Sequence, residues 1–301
     1  MDSLESFFQK NHISFSKTNS LAELTTFKVG GSADLVLYPD TAEQCAILIR
    51  LAKEQGRRLI YLGNGSNMLG SDGGCRDWIL KTDRLTELTL DQHGVMTVGA
   101  GVRTAKASSF AAKSGFSGLE FAHGIPGTMG GAVFMNAGAY GGSMDQVVVR
   151  THYLDEQGNI QTLEGEDHDF DYRDSYFIHH PEYLILSTEL QLHPGDPKEI
   201  LSLMDDLQKR RREKQPLEFP SAGSTFKRPE GYFAGKLIED AGLKGYRIGG
   251  AQVSEKHAGF IINREHATGK DVRQLIGHVQ KTVLERFGVT LECEVRYLGE
   301  E

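Results

Sequence analysis

The chain has little cysteine: Cys45, Cys75 and Cys293 are the only three in 301 residues, and they stand far apart. That argues against a disulfide framework and against a CxxC-type zinc site, and it fits a reducing compartment. Long apolar runs are missing as well, since none approaches the ~20 residues that cross a bilayer. Residues Met1 to Lys10 carry Asp2 and Glu5 and read as a short amphipathic helix. An export signal would open on cations and continue into an apolar stretch, so a cytoplasmic location with no membrane insertion is expected. Positive charge is not in surplus. A formal net charge of −8 argues against a general nucleic-acid binder, which needs cations to displace phosphate counterions. Several familiar motifs are also absent. There is no GxxxxGK[ST] loop, no HExxH and no GxSxG, and Gly63-Asn64-Gly65-Ser66-Asn67-Met68 fails GxGxxG at its last position. P-loop, standard dinucleotide and common hydrolase readings therefore lack support.

Glycine is what the chain has in excess. It supplies 35 residues, about 12% against a typical ~7%, and the excess is clustered. Ala33–Gly63 reads as strand, helix and strand. Leu35, Val36 and Leu37 lead to Pro39, Thr41 and Gln44 form a capping box, and Cys45, Leu48, Ile49 and Ala52 share one helical face before Gly56. Leu59–Leu62 is the second strand, and the loop Gly63–Asn67 follows it. From Trp78 to about His193 the pattern changes to short strands and hairpins in mixed or antiparallel pairing. A helix is expected over Thr104–Lys113, and a hairpin turn at Asp155–Gly158 between Val147–Leu154 and Asn159–Leu163. A helix over about Lys198–Lys214 precedes Pro216 and Pro220, which mark a domain boundary. The last third holds a helix near Ala234–Ala241, a strand near Gly259–Ile262 and a long helix over Lys270–Phe287 with Thr268 as N-cap. In that helix Val272, Leu275, Ile276, Val279, Val283 and Phe287 repeat at helical spacing as a core stripe. An alternating strand, Leu291–Leu298, ends the pattern.

Two loops carry the chemistry that glycine allows. Gly63 and Gly65 flank Asn64 directly after a strand, so backbone N–H groups can converge into an anion-binding nest, with Ser66 and Asn67 as further donors. The tract Gly124-Ile125-Pro126-Gly127-Thr128-Met129-Gly130-Gly131-Ala132 leaves room for a flat ligand or a pyrophosphate against bare backbone. Asn136–Gly141 continues it. Each loop taken alone also reads as a simple tight turn.

Gly63–Leu69, Gly124–Ala132, Asn136–Gly141, Tyr172-Arg173-Asp174-Ser175, Ser221–Lys227 and Glu294-Val295-Arg296 occur in this order. Together they resemble the UDP-N-acetylenolpyruvoylglucosamine reductase family over about Thr25–Leu298. The resemblance implies an α+β fold: an FAD-binding region of the PCMH/vanillyl-alcohol-oxidase type in two subdomains, plus a C-terminal α+β substrate-binding domain. The expected limits are 1–83, 84–213 and 214–296, with 297–301 returning to the second subdomain. It implies a cytoplasmic oxidoreductase with FAD and NADPH, reducing the enolpyruvyl double bond of UDP-N-acetylglucosamine enolpyruvate. That reaction would place it in peptidoglycan precursor synthesis, and so in cell-wall biogenesis, cell shape and cell division. The partners expected are that small-molecule substrate and NADPH, with no nucleic acid, and the chain is expected as a monomer or weak dimer.

Residue by residue, the resemblance sets Gly63, Asn64, Gly65, Ser66, Asn67, Gly124, Ile125, Pro126, Gly127, Gly130, Gly131, Ala132, Asn136 and Gly138 at the cofactor. Arg173 matches the arginine that stabilises growing negative charge, Ser224 the proton donor, and Glu294 the carboxylate that assists it. Locally, Arg173 reads as a solvated loop residue, Ser224 as a turn or cap serine, and Glu294 as an exposed residue of the terminal strand. Tyr172, Arg211, Lys214, Arg228 and His257 match substrate-facing positions. Arg211 and Lys214 equally suit the C-terminal end of a helix, and His257 equally suits a surface turn. Part of the family carries an inserted tyrosine lid between the arginine and the serine. Here these stand only 51 positions apart, so the chain resembles the shorter branch, and the lid role is not carried onto Tyr176 or Tyr183. Two other readings stay open: a PCMH-type FAD oxidase of an alcohol or sugar, and a non-catalytic flavin or nucleotide-sugar sensor.

Overall fold

The computed structural model describes residues 3–300, so expectations resting on Met1, Asp2 and Glu301 lie outside the described residues. The chain forms two compact units. One comprises Met1–Ser16, Leu35–Asn64 and Asp77–Arg210, and the other Lys17–Asp34, Gly65–Arg76 and Arg211–Glu301.

The first unit holds a four-stranded and a five-stranded sheet. The four-stranded sheet runs in the order Ser14–Ser16, Ala33–Tyr38, Cys75–Lys81, Leu59–Leu62. Its last two strands pair in parallel, which the intervening chain permits by crossing over. The helix Ala42–Glu54 begins where Thr41 Oγ1 accepts from the Gln44 amide at 3.2 Å. The expected capping box is half made, because the Gln44 carboxamide oxygen reaches one residue further back, to the Asp40 amide at 2.7 Å. Gly56 closes the helix at φ +59°, a conformation that costs glycine nothing.

The five-stranded sheet is antiparallel throughout, in the order Ile160–Glu164, Val148–Leu154, Leu184–Gln191, Val95–Gly99, Leu88–Leu90. The Asp155 carboxylate builds its hairpin turn by accepting from the amides of Gln157 and Asn159, both at 2.9 Å. One apolar core joins both sheets and includes Trp78, Leu80, Met96, Val98, Leu154, Phe177 and Leu190. Each such side chain contributes roughly 1.5–3 kcal/mol by leaving water.

The second unit packs the helices Ala234–Asp240 and Gly269–Phe287 on an antiparallel sheet ordered Ser221–Ser224, Phe260–Asn263, Ala251–Val253, Arg247–Ile248. Thr268 caps the long helix reciprocally with Asp271, and Gly288 ends it at φ +69°. Val272, Leu275, Ile276, Val279 and Val283 are buried as the stripe requires. Phe287 departs from it and is 40% exposed, since it is the final residue before the chain leaves the helix axis.

The terminal strand also departs from expectation. It is regular only over Arg296–Leu298, paired in parallel with Met68–Gly70 in place of a strand of residues 84–213. Upstream, Lys227 N donates to Glu292 O and Glu294 N to Thr225 O, both at 2.9 Å. The change of partner breaks the inside–outside alternation, so Tyr297 is half-exposed while Leu298 is buried.

A polar group sits inside the first unit. Thr151 and Thr188 face each other across neighbouring strands with their hydroxyls 2.7 Å apart. The fully buried His168 ring reaches Thr151 Oγ1 through Nε2 and the Gly165 carbonyl through Nδ1, both at 2.9 Å. A carbonyl only accepts, so Nδ1 carries a proton, and burial disfavours a second proton on Nε2. Burial lowers its pKa, against the weaker pull of the Gly165 carbonyl and Asp167. The unfolded imidazole therefore takes up a proton first as pH falls. The stabilisation is complete above about pH 6.5 and is lost on going below that unfolded value. Urea unfolding should show the protein less stable at pH 5.5 than at pH 7.5, with this ring contributing to the loss. His168→Gln should be less stable at pH 7.5 but flatter across the interval, and an equally steep variant would refute the assignment.

Candidate active site

In the first unit the site begins at the end of the strand Leu59–Leu62. The Gly63 carbonyl accepts from the ammonium of Lys81, a residue only 5% exposed. Burial pulls the Lys81 pKa down, while the Asp83 carboxylate 3.4 Å away acts in the opposite direction. Asn64 Nδ2 donates to the Pro126 carbonyl, which ties the first glycine loop to the second. A β-carbon on Gly63 would lie 2.3 Å from Thr128 Oγ1, so the Thr128 side chain packs against the Gly63 backbone as only glycine allows. One on Gly131 would find only that oxygen, 3.7 Å away. The Thr128 hydroxyl itself is buried and has no hydrogen-bond partner. Gly130 serves packing instead, since a β-carbon there would meet Ala100 Cβ at 2.8 Å.

The third glycine-bearing segment holds an arginine. Asn136, buried and at φ +38°, donates from Nδ2 to the Asp171 carbonyl at 2.9 Å and accepts from the Asp145 amide at 3.0 Å. Asp171 and Asp174 close a tight turn by reciprocal main-chain bonds of 3.1 and 3.2 Å. Within it Arg173 sits at φ +56°, a left-handed conformation that costs an L-residue roughly 1–2 kcal/mol. Its Nη2 donates to the Gly138 carbonyl at 2.9 Å, and its guanidinium lies 5.1 Å from the Tyr172 ring centre. Strain of this kind is retained where surrounding structure enforces it, commonly at functional sites. Tyr176 and Tyr183 are built into an aromatic cluster with Tyr153 and His180.

In the second unit, residues far apart in sequence meet. Between the pairs Ser221↔Ile262 and Ser224↔Phe260, two residues oppose one, and Gly223 takes φ +80° in this bulge. The bulge leaves Ala222 and Thr225 buried and turns Ser224 to the exterior. Glu294 N donates to Thr225 O at 2.9 Å, and the Glu294 carbonyl accepts from Asn67 Nδ2 at 3.0 Å. Asn67, Ser224 and Glu294 therefore share one neighbourhood, whereas Arg173 belongs to the first unit. Gly65 (φ +62°) is needed for packing, because a β-carbon there would meet the Leu24 carbonyl at 2.3 Å. Ser66 follows it, half-buried.

The remaining expected substrate-facing residues, Arg211, Lys214, Arg228 and His257, spread over the second unit. Lys214 is exposed at the end of the helix Pro197–Lys214 and Arg211 is half-buried, while the Arg212 carbonyl accepts from Lys256 at 2.7 Å. Arg228 donates from Nε to the Tyr232 carbonyl at 3.3 Å and lies 4.0 Å over the exposed Phe233 ring. His257 is half-buried and accepts from the Gly259 amide at 3.1 Å through Nδ1, which closes its turn. Burial lowers its pKa, so it stays neutral at pH 7. Sequence reasoning missed Lys81 and Thr128. Thr128 stood unnamed inside a quoted tract, and nothing around Lys81 distinguishes it from a surface lysine.

Comparison with known proteins supplies the identity. Residues 215–298 match the family profile of the UDP-N-acetylenolpyruvoylglucosamine reductase C-terminal domain, and residues 33–164 match that of an FAD binding domain. A UDP-N-acetylenolpyruvoylglucosamine reductase of Exiguobacterium sibiricum is 50% identical, covering 92% of this chain and 90% of that one. Its counterpart from Clostridium novyi is 47% identical, covering 99% and 96%. The chain belongs to the UDP-N-acetylenolpyruvoylglucosamine reductase family. The crystal structure of a UDP-N-acetylenolpyruvylglucosamine reductase from Thermus caldophilus has a TM-score of 0.80 with 33% identity, over 95% of this chain and 98% of that one. As a member of this reductase family the chain is an FAD-dependent oxidoreductase that uses NADPH, with the expected α+β architecture of FAD-binding region and C-terminal domain. A PCMH-type oxidase is not favoured, because residues 215–298 match a domain particular to the reductases. The residues present fit FAD: Gly131 is exposed, and a β-carbon there would meet nothing nearer than Thr128 Oγ1 at 3.7 Å, so the tract offers open, bare backbone on which a cofactor can lie.

In this reductase Asn136 is the hinge pin of the arginine turn. Asn136→Ala removes both of its bonds and puts alanine in a left-handed conformation, which should cost about 2–4 kcal/mol. Thermal melts of the flavin-free protein should fall accordingly, and an unchanged melt would remove Asn136 from this role.

Proposed function

We propose that Arg173, Ser224 and Glu294 carry the chemistry by which this chain reduces UDP-N-acetylglucosamine enolpyruvate to UDP-N-acetylmuramate. The observation that carries the reading is the Gly223 bulge, which turns Ser224 outward on a sheet whose next residue is bonded to Glu294. When bound, FAD supplies a two-electron carrier that takes hydride equivalents from NADPH and delivers them to the enolpyruvyl methylene carbon.

The protein's part is to grip an anion and place a proton. Arg173 offers a guanidinium to the substrate carboxylate, where a fork of donors strengthens as negative charge spreads onto it. Its turn is held by Asn136 and Gly138, so little order has to be created on binding. Ser224 delivers the proton to the carbon beside that carboxylate. A hydroxyl is a weak acid in water, so it works by position, and a rigid strand gives it position. Glu294, half-buried, steadies the proton transfer from Ser224. Arg211 and Lys214 are assigned to the nucleotide diphosphate, and Tyr172, Arg228 and His257 to the rest of the substrate. By function we assign residues 1–83 and 84–213 to the cofactor and 214–296 to the substrate, which the profile limits of 33–164 and 215–298 support. The reading includes a cytoplasmic protein in peptidoglycan precursor synthesis, with consequences for cell shape and division, working as a monomer or weak dimer. Among the described residues no helix is long and apolar enough to cross a membrane.

Purified protein incubated with NADPH should oxidise it only when the enolpyruvyl nucleotide-sugar is added. Oxidation that needs oxygen and ignores that sugar would defeat the reading. Ser224→Ala should leave the rate of flavin bleaching by NADPH within about twofold but slow substrate reduction by roughly 10²–10⁴. Parallel loss in both half-reactions would remove Ser224 as the proton donor. Arg173→Lys should lower kcat/KM by about 10²–10³ through loss of the planar fork, while NADPH bleaching is retained.

A further inference from the structure

Phe233 is 61% exposed, more than any other aromatic side chain among the described residues, and its neighbour Tyr232 is 48% exposed. A lone apolar side chain in water is ordinary, but this pair is held in place. The Tyr232 amide donates to the Pro229 carbonyl at 3.1 Å, with Gly231 at φ +72° in the turn between them. The Phe233 carbonyl accepts from the amides of Lys236 and Leu237 at 3.0 and 3.1 Å, which fixes its residue at the start of the helix Ala234–Asp240. Arg228 lies over the ring, its guanidinium 4.0 Å from the ring centre and its Nε bonded to the Tyr232 carbonyl. With a cation on one face, the exposure belongs to the other face and the edge.

The turn that carries this ring is linked to the strand that carries Ser224. A β-carbon on Gly235, two residues after Phe233, would meet His257 Cε1 at 3.3 Å. The His257 ring in turn packs edge-on against Phe260 at 5.0 Å, and Phe260 is the strand partner of Ser224. All of these residues belong to the second unit. The substrate of the family reaction carries a uracil ring beside its diphosphate, and no residue named so far recognises that ring. A flat base is held through its faces, which an aromatic side chain matches. Phe233 presents a face already fixed by its turn, so little side-chain freedom is lost on contact. Arg228 brings positive charge beside it, as suits a ligand that is an anion. We propose that the exposed face of Phe233 stacks on the uracil ring of the nucleotide-sugar substrate. Phe233 then sets substrate affinity and takes no part in the chemistry. The inference rests on the reading that this unit holds the substrate.

Wild type, Phe233→Leu and Phe233→Tyr, each loaded with FAD, are melted, titrated with UDP by calorimetry and assayed for turnover. Phe233→Leu should bind UDP about tenfold more weakly and raise KM for the enolpyruvyl nucleotide-sugar by a similar factor. Its kcat and its rate of flavin bleaching by NADPH should stay within about twofold of wild type, because the ring touches no reacting atom. Phe233→Tyr, which keeps a ring, should bind UDP within about threefold of wild type. All three should melt alike, since the side chain stands mostly in water. Unchanged UDP affinity in Phe233→Leu would overturn the proposal, as would equal weakening in both variants or a wild type that does not bind UDP. Slower bleaching by NADPH with UDP binding intact would give the ring to the dinucleotide and overturn it too. So would a lowered melt in Phe233→Leu with UDP binding and bleaching lost together, which would make the ring a fold contact. A wild type that fails to reduce the enolpyruvyl sugar, while Phe233→Leu still weakens UDP binding, would defeat the proposed reaction and support the stacking.

Discussion

The missing β-carbon of Gly63 sets the geometry of the cofactor loops. Because that Cα can press against Thr128 Oγ1, Asn64 comes within reach of the Pro126 carbonyl, and Lys81 bonds the Gly63 carbonyl. An ordinary side chain at position 63 would hold the segments apart by the width of a methyl group, and the Asn64 tie would be lost with the contact. Close approach therefore does more than admit a ligand. It couples the end of a parallel strand to the tract 124–132, so two loops that are distant in sequence present one surface.

Left-handed backbone does comparable work at the residues proposed for chemistry. Gly223 at φ +80° inserts the bulge that turns Ser224 outward while its neighbours stay in the core. Arg173 and Asn136 adopt the same region without being glycine, and the cost is offset by the bonds to Gly138, Asp171 and Asp145. Both units thus aim a side chain by a local departure from regular structure that a regular framework enforces. Glu294 is placed differently, at the point where an extended segment leaves Thr225–Lys227 and takes up Met68–Gly70.

Much of this was legible in the chain. The helix Ala42–Glu54, the Asp155–Gly158 turn and the helix Gly269–Phe287 are governed by contacts a few residues long, and their caps and glycines stand in the right places. The terminal strand was not legible in the same way. Alternation over Leu291–Leu298 is a local pattern, but where the pattern breaks depends on residues 225–227 and 68–70, which periodicity does not mention. Gly65 and Gly130 show the same limit, for clustered glycine signals close approach without saying to what. Here the Leu24 carbonyl and Ala100 are what they approach.

The sequence by itself determined the family, because six ordered motifs over nearly the whole chain are a joint signal that no single loop carries. It also determined the α+β character, through local periodicity and turn chemistry. Only the tertiary structure decided that Asn67, Ser224 and Glu294 are neighbours, that Lys81 is buried against a loop carbonyl, and that the Thr128 hydroxyl has no partner. The physical reason is that burial and hydrogen-bond satisfaction belong to the whole set of surrounding atoms. A lysine at a strand end and a threonine before a short helix look the same in sequence whether water reaches them or not.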